Sequence, residues 1–129
     1  MSAKPINDND TNPAATTRPV YELYVPPGKT TDIRSWDTLD VEIWSTCFLS
    51  IHERYDGFKL CSEFKLDGEN LIHLLEVEYG ASLGDPNAVL TVDQNPIYEL
   101  RFREEVYCQI MRHAHVVYIE HKRIQSEAV

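Results

Sequence analysis

The sequence predicts a single α+β domain, with a short mixed or antiparallel sheet packed against two or three helices, the longest of them C-terminal. Three observations carry that expectation. Apolar and polar residues alternate in residues 20–25 and 58–66, the period of a strand. In three other stretches the apolar residues recur at spacings of three and four, the period of a helix. The chain has 129 residues, 43% hydrophobic and 26% charged, which suits one ordinary globular domain and is too short for separate cofactor and substrate lobes.

Residues 1–18 are rich in Asn, Asp, Thr, Ala and Pro and have no apolar period to set against the entropy of ordering, so they read as a flexible arm before a domain of residues 19–129. "VYELYV" alternates and stops at Pro26-Pro27, whose missing N–H groups cannot continue a ladder, which suits a short edge strand. From residue 38 the period changes. Leu39, Ile43, Cys47 and Ile51, widened by Trp44 and Phe48, predict a helix over residues 38–55. Asp37, Asp40 and Glu42 stand near its start, His52 and Arg54 near its end, and Gly57 offers a stop. Val41, Ile43, Cys47, Leu49 and Ile51 also alternate at period two, so a strand is the rival there.

"FKLCSEFKL" places Phe58, Leu60, Phe64 and Leu66 on one side and Lys59, Glu63 and Lys65 on the other, and Asp67-Gly68 closes it as a turn. A second helix is predicted from about Glu69 to Gly80, carrying Leu71, Ile72, Leu74, Leu75 and Val77. "AVLTV", residues 88–92, reads as a buried strand. Asn95 and Pro96 are a helix start, and Val106, Tyr107, Ile110, Met111, Ala114, Val117, Tyr118, His121 and Ile124 then mark a long apolar face. Within it "HVVYIE" is β-branched enough to allow a last strand over residues 115–121.

The formal net charge is -9, and its placement says more than its size. Acids and bases balance up to Thr31 and again from Gln94 onward, so the whole excess lies between Asp32 and Asp93. A block of that sign repels nucleic acid and attracts a basic partner. No apolar run approaches the ~18 residues needed to cross a bilayer. The first 19 residues lack the hydrophobic stretch of a secretory signal, and together these point to a cytoplasmic protein without a membrane partner.

Gly28-Lys29-Thr30 invites comparison with a phosphate-binding loop. That loop needs a glycine five positions before Gly28, where Leu23 stands, and Pro26 and Pro27 remove two of its N–H donors, so the segment reads as a turn. His113, His115 and His121 with Cys108 raise the question of a metal. On a helix His113 and His115 are about 200° apart and cannot share an ion. The expected arrangement has His115 facing solvent and His121 bordering the core. Cys47, Cys61 and Cys108, odd in number and without CxxC spacing, are expected to be buried thiols. No catalytic residue, metal ligand or cofactor is therefore assigned.

The acids Asp56, Glu63, Asp67, Glu69, Glu76, Glu78 and Asp85 cluster around one predicted strand and helix and form the candidate partner-binding site. The expected function is non-enzymatic: an acidic protein-binding module or inhibitor that engages a basic surface of a partner protein, including a surface that otherwise holds nucleic acid. Trp36 and Tyr55 are candidate anchors if exposed. A small metal-dependent or hydrolytic enzyme using the C-terminal histidines is the second reading. A self-assembling component, such as a homodimer through the long helix, is the third.

Overall fold

The structure, a computed structural model, describes residues 21–90 and 104–127. Among these residues there is no strand and no sheet, so the α+β expectation is overturned: the described part is all-α. Its helices are α1 (Thr38–Ser45), α2 (Arg54–Glu63), α3 (Gly68–Tyr79) and α4 (Glu104–Glu127), with single 3-10 turns at Ile33–Ser35 and Gly80–Ser82.

Helix α1 starts where the sequence places it. Asp37 accepts from the Asp40 N–H at 2.8 Å while Asp40 accepts from the Asp37 N–H at 2.9 Å, a reciprocal capping box. It ends ten residues earlier than residue 55. The Ser45 and Thr46 hydroxyls donate back to the carbonyls of Glu42 and Ile43, competing with the backbone ladder at the last turn. A new start follows at Ser50, whose N–H is accepted by the Glu53 carboxylate at 2.9 Å. "SIHE" is half of a second capping box.

The predicted strand over residues 58–66 is instead most of α2. Gly57, Leu60 and Cys61 are buried at helical spacing with Phe64 packed partly against the core, while Phe58, which strand alternation would bury, is exposed. Leu60 and Phe64 fit both periods, which is why the alternation misled. Helix α2 ends in a Schellman motif: the Leu66 N–H reaches the Cys61 carbonyl at 2.9 Å and the Lys65 N–H that of Ser62 at 3.3 Å. Lys65 sits between them at φ 50°, a conformation that favours glycine. Gly57 is no stop; it lies inside α2 against Leu49 and Ser45.

Asp67 then caps α3 by accepting from the Asn70 N–H. The first residue of α3, Gly68, meets the 3-10 turn so closely that a Cβ there would lie 1.7 Å from the Ile33 carbonyl oxygen, and its own N–H donates to Trp36 at 2.8 Å. Of the predicted strand over residues 88–92, Ala88 to Leu90 have no regular structure, and the remainder lies outside the described residues, as do the start signal at Asn95-Pro96 and the N-terminal arm.

The long C-terminal helix is present, and "HVVYIE" is helical within it. Most of its circumference is buried: Val106, Tyr107, Ile110, Met111, Ala114 and Val117 are fully enclosed, Cys108, His113 and His115, on other faces, are buried too, and Gln109, Arg112 and Val116 form a half-buried strip. Helices α2 and α3 pack on it, α1 pairs with α2, and the turns from Lys122 onward stand in solvent.

Among the described residues the expected edge strand has no partner strand. Its carbonyls are taken by side chains instead, the Trp44 indole donating to Tyr24 at 2.8 Å and the His113 ring to Glu22 at 3.3 Å, and beyond it the Trp36 indole donates to the Thr30 carbonyl at 3.0 Å. Gly28-Lys29-Thr30 is the plain turn the sequence indicates. The Lys29 N–H closes it on the Pro26 carbonyl at 3.0 Å, and Pro27 followed by Gly28 at φ 76° is the type II combination.

Two substitutions test these junctions in urea denaturation. Gly68→Ala is expected to destabilise by about 2 kcal/mol or more, because the obstacle is backbone. Lys65→Gly is expected to stabilise by about 0.5 kcal/mol, relief of the left-handed backbone exceeding the added entropy of the unfolded chain.

Candidate functional site

The seven acids singled out in the sequence do not share one role. Asp67 is the cap of α3, and Asp85 accepts from the Asn87 N–H at 2.9 Å in the loop beyond α3. Glu78, half-buried, accepts from the fully buried Tyr107 hydroxyl at 2.7 Å; burial raises its carboxyl above the ordinary range, against the opposing pull of that bond. Glu69 is exposed and pairs with Arg34 at 2.7 Å. Between two exposed side chains such a pair contributes little.

Glu63 and Glu76 are exposed, and Asp56 is half-buried in the first turn of α2. Glu69, His73 and Glu76 follow one another at spacings of four and three, so they form one exposed stripe of α3, with Glu63 at the close of α2 just before it. Asp56 stands seven residues from Glu63, about 10 Å along the helix. The acids therefore converge in part, along the outer face of α3, and not as one patch of seven.

The aromatic candidates separate cleanly. Trp36 is core, 2% exposed and packed against Trp44, whereas Tyr55 is 73% exposed. Sequence reasoning missed the apolar company of Tyr55: Leu39, Ile43, Ile51 and Phe58 are exposed as well. The signal was available, because the exposed residues 51, 55 and 58 fall at helical spacing once Ser50 is read as a start.

Each histidine of α4 serves a different segment. His113 stacks on Phe48 with ring centroids 4.0 Å apart and donates to the Glu22 carbonyl. His115, expected in solvent, is buried; it stacks on Tyr79 at 4.1 Å and donates to the Leu83 carbonyl at 2.9 Å. His121 shares a 3.0 Å hydrogen bond with the Thr31 hydroxyl. Among the described residues no group of three or more His, Cys, Asp or Glu is arranged to hold a metal ion.

The expectation of three buried thiols fails at Cys47, which is exposed beyond the end of α1, and holds for Cys61 and Cys108. Burial, with the Glu42 charge beside it, pushes the Cys61 thiol up to about 12, so it is protonated and unreactive at neutral pH. No helix among the described residues is long and apolar enough to cross a membrane. Comparison of the chain with protein-family models, curated proteins and solved structures finds no match in any of the three.

Desolvation lowers the pKa of His113, against the raising effects of the Glu22 carbonyl and charge, and lowers that of His115, against those of the Leu83 carbonyl and the Asp85 charge. Each folded value thus lies below the ordinary 6.5. The unfolded chain binds protons first, so their contribution is complete above about pH 6.5 and is lost as pH falls below it. Glu78, with its raised pKa, contributes the opposite slope at lower pH. Denaturation midpoints are expected to stay level from about pH 8 to 6.5 and then drop, less steeply in His115→Gln than in the wild type. A midpoint that stays level below that point contradicts the burial of neutral imidazoles.

Proposed function

We propose that the chain is a non-enzymatic protein-binding module that engages a basic surface of a partner protein. The observation that carries this reading is the exposed stripe of α3, where Glu69 and Glu76 face solvent on one side of one helix, with Glu63 just before it. Caps and buried contacts account for Asp67, Asp85 and Glu78; these three still contribute to the field but do not need a partner to explain them.

Carboxylates on a helix face can occupy the positions opposite Lys and Arg that phosphates occupy in a nucleic-acid complex, and long-range attraction then speeds encounter more than it tightens the final complex. A basic groove that otherwise holds nucleic acid belongs to the same class of partner. Nothing comparable favours the metal-enzyme reading, since His113, His115 and His121 are each turned to a separate structural contact.

The double variant Glu69→Lys/Glu76→Lys tests the proposal. Capture of the partner from the native source is expected to weaken at least about tenfold at low ionic strength, and its dependence on salt to flatten. Equal capture by wild type and variant at low salt removes the acidic face from the account.

A further inference from the structure

Of the nine large apolar side chains exposed among the described residues, five belong to the stretch from Leu39 to Phe58: Leu39, Ile43, Ile51, Tyr55 and Phe58. Scattered apolar exposure is ordinary, but a concentration of this kind on one supersecondary unit marks an interaction surface.

The unit is an antiparallel hairpin. The Arg54 guanidinium at the start of α2 donates to the Thr46 carbonyl just past the end of α1 at 3.2 Å, Gly57 lies against Ser45, and further along α2 Cys61 lies within the influence of Glu42. Its inner face carries Val41, Trp44, Leu60 and Cys61 into the core. Leu39 and Ile43, four apart, line the opposite edge of α1. Tyr55 and Phe58, three apart, line that of α2, and Ile51 stands in the turn that leads into it. Ile51 and Tyr55 are each 73% exposed and Leu39 is 60% exposed, so the hairpin's own packing does not use them.

We infer that the outer face of the α1–α2 hairpin is the docking site for an amphipathic helix of a partner protein, apolar along one stripe and basic along its flanks. The inference rests on the protein-binding reading and gives it a second, apolar element. Two parallel rows of apolar side chains accept the stripe of a helix laid between or along them, as helix-in-groove recognition requires. Charge selects the flanks: residues 37–63 hold six acids against two bases, Arg54 and Lys59; Arg54 is turned onto the Thr46 carbonyl, and of the acids Asp40 pairs with Lys29 at 3.1 Å, so the stretch stays negative with that pair set aside.

The same charge argues against the other occupants. A second copy joined through this face by a two-fold axis would bring two surfaces of the same negative sign together. An anionic lipid surface would be repelled for the same reason.

The test uses the full chain and a fluorescent peptide of about 18 leucine and lysine residues at helical spacing, beside a peptide of the same composition whose leucines form no stripe. Wild type is expected to bind the ordered peptide at least about tenfold more tightly than the disordered pattern, and Tyr55→Ser and Leu39→Ser each to lose about tenfold. Both variants change solvent-exposed side chains, and an unshifted thermal midpoint shows that the fold is kept. Equal affinity for the two peptides, or unaltered binding in both variants, overturns the inference. So does a dimer in sedimentation, or adsorption to phosphatidylserine vesicles, that Tyr55→Ser abolishes. The two proposals fail separately: the Glu69→Lys/Glu76→Lys variant reads the acidic face of α3, and the Tyr55→Ser and Leu39→Ser variants read the hairpin.

Discussion

Burial of most of the circumference of α4 through its middle is the constraint from which the rest of the arrangement follows. A helix enclosed on one side can turn its polar residues to water, whereas one buried over most of its circumference must find partners for the polar atoms it buries or lose on the order of 1–3 kcal/mol at each unmatched group. Tyr107 finds Glu78 of α3, Gln109 finds Glu53 before α2, His113 finds the Glu22 carbonyl, and His115 finds that of Leu83. Where the helix begins to emerge, His121 finds Thr31. Five side chains of one helix therefore reach five separate stretches of chain, and a single element sets the positions of the others.

This accounts for the fate of the N-terminal segment. Tyr21 to Val25 has the alternation of a strand, but a strand is stable only with a neighbour that supplies a ladder of donors and acceptors. Here the donors come from Trp44 of α1 and His113 of α4, at an interval set by two different elements, so the segment is held without regular structure. The aromatic rings that deliver those donors pack together as well: Trp44 meets Phe48 edge-on at 4.8 Å, and Phe48 stacks on His113. Such ring pairs add roughly 0.5–1.5 kcal/mol each beyond the area they bury.

What the sequence made legible were the local starts and stops with dedicated chemistry. Asp37 with Asp40, the start of α3 near Glu69, the turn at Gly28, and the sustained apolar period of α4 all stand where they were expected, whereas Asp67-Gly68, read as a turn closing a strand, opens α3 instead. What it concealed had two causes. Residues such as Leu60 and Phe64 satisfy periods of two and of 3.6 alike, so α2 could pass for a strand, and the capping signal at Ser50 and Glu53 that would have decided the matter is only half formed. The second cause is distance in the chain: that Glu78 meets Tyr107, that Glu69 meets Arg34, and that His115 is enclosed by Tyr79 and Leu83 depend on pairings no local pattern encodes. The candidate site was legible to the same degree. The acidic block was visible, but its division into caps, buried contacts and an exposed stripe was not, and the apolar outer face of the hairpin emerged only once helix was put in place of strand.

Amide hydrogen exchange on the full chain measures the organising role of α4 most directly, because a helix buried over most of its circumference exposes its N–H groups only when the whole domain opens. The amides of residues 110–117 are expected to exchange last, at the rate of global unfolding, while those of residues 122–127 and of the turn over residues 46–49 exchange orders of magnitude sooner. Exchange in residues 110–117 as fast as in residues 122–127 would mean that α4 is not the organising element of the fold, and the account built on it would fail.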